Sequence, residues 1–508
     1  GELRRQFTAY AFDRELMIPT DFGTMTHWYS RTPQEFLDAK NPPFLPQATS
    51  GYGEKTGLVW DIFQGEWLSD YWRLTQSFID AGYGTGDLLH TIGLGERLCF
   101  RDRAKNLQMK IDTMDWLLKA AKDRHPDKKV FLAGWDFYRT WFPGEVRQQI
   151  ARLDPNQVVI LDYEADATRN YQEEAEAQQN DFRHWNLIGK FPYTFGIFLC
   201  FEDGNDIRAN YPVIFERQKC VRGDPFCKGY VVWPEASHTD SLFHDFFARA
   251  SWKGDVTSVE PVLDDFCAHR YGAQADALKA IWHDVVPIGA TRGFGGTYEN
   301  GLMDTLEFPI GDATKWTNSI PSKLKGVPGI FRRLADVDWT GEAVRRDTID
   351  LARTTADRFI RAAWKDLMRS YYAWKRGEEL PGCVKRKAGA FARLGELMAD
   401  VLALHTDFSV YESYLRLDAV EKIRNPDFDR ILLENTAGVY CRSHQYELAR
   451  HWYAPVMRDL ANAIAAKVDA VDRESALEFM GGIGDGLMND RHLRPDIRDR
   501  MRTEPLAT

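Results

Sequence analysis

From residue 88 to residue 234 short, almost wholly apolar runs alternate with longer amphipathic stretches, and few folds accept that pattern. The runs are Leu88–Glu96, Lys129–Trp135, Gln157–Glu164, Tyr193–Phe201 and the stretch from Gly229 to Pro234; an earlier one spans Leu16–Gly23. Val, Ile, Phe and Trp dominate them, as expected of strands buried on both faces. Between them, residues 66–81, 103–124 and 144–153 carry apolar side chains at three- and four-residue steps, and residues 1–13 also read as a helix. Strands alternating with helices predict a parallel sheet covered on both sides. The Gly-rich segment Gly82–Gly86 precedes a strand and does not follow one, so it is no nucleotide fingerprint. The expected fold class is therefore α/β, a (β/α)8-type barrel and not a doubly wound sheet.

A closed barrel of that type needs eight strands, and only six are legible. The first strands are expected to be missing from this chain, and a preceding segment or a separate chain is expected to complete the barrel, because an open edge is a template for aggregation. The domain reading is a barrel domain over 1–284, N-terminally incomplete. A Gly/Pro-rich connection follows over 285–345, then an all-α domain over 346–508. In that last region Ala356, Phe359, Ile360, Ala363, Trp364, Leu367, Met368 and Tyr371 mark one helical face. Leu394, Leu397, Met398, Val401 and Leu402 mark a second face, and residues 446–470 give a third helix with a boundary or kink at Pro455.

A formal net charge of −10 argues against a general nucleic-acid binder or a polybasic membrane binder. No run of eighteen apolar residues predicts a membrane span. The seven Cys show no zinc spacing, so no metal is expected, and an odd, scattered set is the pattern of free thiols. Cys220 and Cys227 flank a Gly-Asp-Pro loop, and a pair between them is the alternative.

Two strands end in an acid. Pro234 cannot donate to a sheet ladder, so its strand stops there and Glu235 stands at the carboxyl end, where parallel α/β folds place chemistry. Glu96 ends the Leu88 run in the same way. A pair of carboxyl groups is what glycoside hydrolysis uses: about 5–5.5 Å apart for retention, about 6.5–9.5 Å for inversion. Around them, Trp135 follows a strand as a pocket or core residue, and Asp162 ends a strand, holding a sugar hydroxyl or an adjacent loop. Trp233 either stacks on a sugar ring or caps the barrel, and His27 and Trp28 follow the first legible strand towards the mouth.

Several stretches taken together resemble the α-N-acetylglucosaminidases of glycoside hydrolase family 89. They are Met17–Gly23, Phe131–Phe137, Val158–Asp162, Phe201–Asn205, Pro234–Ser237, Phe243 through Trp252, and Phe266–Gly272, with Tyr371-Tyr372 and His451–Tyr453 further on. The resemblance implies that Glu235 is the nucleophile and Glu96 the acid/base, with Gly95 standing where the family usually has Asn. It implies a pocket role for Trp135 and for Asn205, which would donate to a sugar hydroxyl or amide. The implied activity is a retaining exo-glycoside hydrolase cleaving terminal α-linked N-acetylglucosamine or a related α-glycoside by double displacement, without a cofactor. The implied partner is an oligosaccharide or glycoconjugate glycan, and the implied setting a bacterial periplasm or the exterior. The alternatives are a non-catalytic carbohydrate-binding or scaffold protein on the same fold, and a glycosidase of different sugar specificity.

Overall fold

The structure is a computed structural model. It describes residues 2–16, 18–21, 34–46, 61, 63–81, 86, 88–91, 99–166, 180–199, 206–234, 240–252, 256, 258–291, 321–420, 444–477, 488–489 and 492–493. The chain divides into two compact units. One comprises Gly1–Phe198 with Val213–Trp233, the other Leu199–Pro212 with Pro234–Thr508.

Among the described residues the first unit is built on six strands in sequential order: β1 (Pro19–Asp21), β2 (Leu88–Thr91), β3 (Lys129–Ala133), β4 (Val158–Leu161), β5 (Tyr193–Leu199) and β6 (Cys227–Pro234). From β1 to β5 neighbouring strands pair in parallel: Thr20 opposite Leu89, His90 opposite Phe131, Leu132 opposite Ile160, Leu161 opposite Thr194. All six expected strands are present, and β6 ends at Pro234, where the missing N–H requires it to. The helices among them are α1 (Glu2–Phe12), α2 (Gln34–Lys40), α3 (Trp67–Asp80), α4 (Arg103–Arg124), α5 (Trp135–Thr140), α6 (Pro143–Ile150) and α7 (Tyr211–Val221). Sequential parallel strands with helices between them fit a partial (β/α) barrel. Asp102 caps α4 by accepting from the Lys105 N–H at 3.1 Å, and Lys122 and Arg124 stand in its last turn, where the helix dipole favours cations.

Two glycines in this sheet are there for space. A Cβ on Gly86 would lie 2.0 Å from the Ile18 carbonyl oxygen, and the Gly86 N–H donates to Thr20 Oγ1 at 2.8 Å. Gly86 thus serves close approach to the start of β1. On β5, a Cβ at Gly196 would lie 1.7 Å from the Asp162 carbonyl oxygen. No side-chain rotation relieves a clash with backbone, so Gly196→Ala is expected to cost about 3 kcal/mol or more. Urea unfolding followed by tryptophan fluorescence checks it; an unchanged midpoint would mean that β4 and β5 are spaced differently.

The second unit's described residues from 240 on are largely helical. Its helices are α8 (Ser241–Trp252), α9 (Glu260–Tyr271), α10 (Ala275–Gly289), α11 (Val327–Ala335), α12 (Glu342–Lys375), α13 (Pro381–Leu402), α14 (Val410–Val420) and α15 (Ala454–Asp469). Within the Gly/Pro-rich connection 285–345, α11 is helical. Its Pro328 lies in the first turn, where the missing N–H costs nothing and the fixed φ helps. The boundary expected at Pro455 is there: a five-residue π turn, Ala449–Tyr453, precedes α15. The core joins α12, α13 and α15 through Trp364, Leu367, Met368, Val384, Phe391 and Met457, all fully or nearly fully buried. Gly395 lets α13 approach α15, since a Cβ there would sit 3.0 Å from Ala454 Cα. Cys220 and Cys227 are both free thiols, so the pairing alternative is set aside. Cys220 Sγ lies 3.6 Å from the Glu216 carbonyl and Cys227 Sγ 3.6 Å from that of Gly229, each satisfied locally.

Candidate functional site

Of the sequence-predicted site residues, Trp135, Asp162 and Trp233 fall among the described residues; Glu96, Glu235, Asn205, His27 and Trp28 lie outside them. Trp135 opens α5 directly after β3, because Gly134 turns the chain while its N–H donates to the Leu161 carbonyl at 2.8 Å. The helix is pinned by the next residue. Asp136 is buried and accepts from Lys110 Nζ at 2.8 and 3.0 Å and from Trp141 Nε1 at 2.6 Å. Breaking a buried pair of this kind is costly, so Trp135 starts from a fixed base.

Trp135 and Trp233 converge through Tyr163, the residue after Asp162. The Tyr163 and Trp233 rings stack at 4.5 Å between centroids, 9° from parallel. Trp135 meets Tyr163 at 5.8 Å and Phe198 at 4.9 Å, both edge-on, and His90 lies 6.1 Å from Trp233. The rings come from β2, β5 and β6 and from just beyond β3 and β4. Strand alternation brings them to one face: Gly196 and Phe198 are two residues apart on β5, and the Gly196 position faces Trp233 Nε1. Trp135, Trp233 and His90 are half-buried, whereas Tyr163 and Phe198 are largely covered. One face of Trp233 is thus occupied by Tyr163. Its Nε1 is buried and has no hydrogen-bond partner among the described residues.

His90, Tyr163 and Phe198 were not singled out from sequence. His90 sits inside an apolar run and shares its β2 face with Leu88, and that alternation was the available signal.

Asp162 immediately precedes Tyr163 of this wall. It is fully buried and accepts from Tyr138 Oη at 2.7 Å and from the Glu164 N–H at 3.3 Å. Of the two roles open to it, the geometry displays the holding of its own loop. Burial pushes its carboxyl well above the usual range, and the bonds from Tyr138 and the Glu164 N–H only partly offset that. The Tyr138 hydroxyl is likewise pushed up by burial and by the neighbouring Asp162.

In the second unit Asp206, next after Asn205, and Asp240, further on from Glu235, are described. Asp206 is buried against Arg358, whose Nη1 donates to its Oδ2 at 2.7 Å. Five residues after Glu235, Asp240 is fully buried, and burial raises its carboxyl to about 7. Below these segments lies a buried ionic lattice. Asp357 is bonded by Arg358, by Arg361 Nε at 2.9 Å and by His444 Nε2 at 2.8 Å. Burial works against its charge, but Arg361, Arg358 and His444 outweigh that and hold Asp357 well below the carboxylate range. Among the described residues no three His, Cys, Asp or Glu side chains are placed to hold a metal ion.

No family model matches the chain, and no curated protein matches it. Solved structures do. A family 89 glycoside hydrolase from Clostridium perfringens in complex with PUGNAc superposes with a TM-score of 0.64 at 12% identity, over 96% of this chain and 56% of that one. The family 89 hydrolase of that organism with 2-acetamido-1,2-dideoxynojirmycin gives 0.63 at 13% identity, over 94% and 56%. A variant with two glutamates changed to glutamine, in complex with its substrate GlcNAc-α-1,4-galactose, gives 0.61 at 13% identity, over 95% and 54%. The chain therefore spans a little over half the length of the solved structures it matches. Across nearly all of its own length, it is a distant structural relative of the family 89 glycoside hydrolases.

Proposed function

We propose that the chain is a retaining glycoside hydrolase acting on terminal α-linked N-acetylglucosamine or a related α-glycoside of an oligosaccharide or glycoconjugate. The observation that carries this reading is the fold likeness over 94–96% of the chain to hydrolases solved with N-acetylglucosamine-type ligands. The ring wall of Trp135, Tyr163 and Trp233 supports it, since flat apolar surface beside strand ends suits a sugar face. Glu235 attacks the anomeric carbon and forms a glycosyl-enzyme; Glu96 protonates the departing oxygen and then draws a proton from the incoming water. Asn205 donates to a hydroxyl or to the acetamido group. The two Glu-to-Gln changes in the substrate-bound relative agree with a two-carboxylate mechanism. The finer architecture belongs to the same reading. The (β/α)8 barrel is closed by strands from a preceding segment or a separate chain, and an all-α domain follows residue 345. An experimental structure in which β1 gains a paired outer neighbour checks it.

Proton NMR of the reaction on p-nitrophenyl N-acetyl-α-D-glucosaminide tests the function. The α-anomer of the free sugar is expected as first product. A β-anomer would replace retention by inversion. Sugar binding with no product, from pure protein, would instead identify a carbohydrate-binding scaffold, and turnover of another chromogenic glycoside a different specificity.

A further inference from the structure

Asp240 accepts three hydrogen bonds from two distant parts of the chain. Its Oδ1 takes the Phe243 N–H at 3.0 Å and the Tyr211 hydroxyl at 2.9 Å; its Oδ2 takes the Arg208 N–H at 3.3 Å. The first of these is an ordinary helix cap on α8. A cap alone explains neither the other two bonds nor the complete burial of the carboxyl. Burial costs free energy that Ser, Thr or Asn in the same place would largely avoid. The other two bonds reach back 32 and 29 residues, to Arg208 just before α7 and to Tyr211, its first residue.

That segment is held in an unusual conformation. Ala209 is buried with φ +55, in the left-handed region, which costs an L-residue roughly 1–2 kcal/mol. It keeps that conformation because the three residues before it are tied, as is Tyr211 after it. The Ile207 N–H donates to Thr354 Oγ1 at 3.2 Å, Asp206 is paired with Arg358, and the Arg208 N–H is taken by Asp240. A side chain at Gly289 would meet both the Ile207 carbonyl oxygen and Ala209 Cβ, at 2.9 and 3.1 Å, so the packing leaves the segment no slack. Strain that the surroundings over-determine is what a positioned loop displays.

We propose that Asp240 is a positioning residue whose buried carboxyl ties the stretch from Asp206 to Tyr211 to the start of α8, so that the two move as one. The tie stands on the geometry above; the roles of Asn205 and Glu235 rest on the glycosidase reading. On that reading the tie is felt in turnover, since Asn205 immediately precedes Asp206 and Glu235 lies five residues before Asp240 in sequence.

The test uses the full chain with Asp240→Ala, Asp240→Asn and Tyr211→Phe. Hydrogen exchange at the Arg208 and Phe243 amides is read beside kcat and KM on p-nitrophenyl N-acetyl-α-D-glucosaminide. Asp240→Ala is expected to lose protection at both amides together, with kcat falling about 30- to 100-fold and KM moving less than about 3-fold, as misplacement of a reacting group by about 1 Å does. Asp240→Asn keeps one carbonyl acceptor, so Phe243 stays protected while Arg208 does not, and kcat is intermediate. Tyr211→Phe leaves the cap intact and still lowers kcat about 5-fold, which keeps the question open to test should the alanine variant fail to fold. Loss of protection at Phe243 alone overturns the tie and leaves a simple cap. Loss at both amides with unchanged turnover overturns the positioning role. Should the wild-type chain hydrolyse no glycoside, the hydrolase reading falls, while coupled exchange of the two segments still upholds the tie.

Discussion

Glu235→Ala is expected to lower turnover by about 10⁴-fold or more, the scale seen when one member of a concerted catalytic set is removed. The reason is specific to double displacement. Without the carboxylate no covalent glycosyl-enzyme forms, and water alone must meet an oxocarbenium-like transition state. Azide restores part of the rate on a substrate with a good leaving group, because it fits the space the carboxylate vacated. The product of that rescue assigns the role: attack from the nucleophile's side gives the β-glycosyl azide. Glu96→Ala is expected to behave differently. An aryl leaving group needs little protonation, so glycosyl-enzyme formation survives and its hydrolysis slows; azide then attacks the intermediate and gives the α-azide. Full activity in Glu235→Ala would end the assignment, and an α-azide from it would exchange the two roles.

Arg358→Met is expected to destabilise the folded chain by about 3–5 kcal/mol, the cost of withdrawing one member of a buried ion pair. Arg358 is almost wholly buried and serves three acceptors: Asp206, Asp357 and the Gly289 carbonyl, the last through Nε at 3.3 Å and Nη2 at 3.2 Å. Asp357 keeps Arg361 and His444 in the variant. Asp206 loses the Arg358 guanidinium that donates to its Oδ2. Combining Arg358→Met with Asp206→Asn is therefore expected to recover more than about 1.5 kcal/mol, a coupling that sites without a shared interaction do not show. Urea unfolding of the four proteins in the cycle measures it. Strict additivity would mean that the pair contributes nothing.

The parallel sheet was legible because strands buried on both faces are written in Val, Ile, Phe and Trp, and all six expected strands occur in order. The long helices α12 and α13 were legible from period alone. What escaped depends on contacts far apart in sequence. Gly196 reads as one more glycine until the Asp162 carbonyl is placed against it. Ala209 carries no sign of its left-handed backbone, since nothing about Ala announces it. Asp162 was read from its place at a strand end, but its partner Tyr138 is 24 residues earlier and invisible to local pattern. Asp240 gives no local sign of the three bonds that make it a junction, since two of them reach back 32 and 29 residues.

The interleaving of the two units also bears on biosynthesis. Ile207 is bonded to Thr354, 147 residues further along. At a synthesis rate of about 5–20 residues per second, a ribosome needs roughly 7–30 s to cover that interval. All six strands can have emerged by then, while the stretch from 199 to 212 still awaits its anchoring helix. Stop codons or proteolytic cuts that remove α12 would therefore release, along with the helices, a stretch encoded well upstream of the cut.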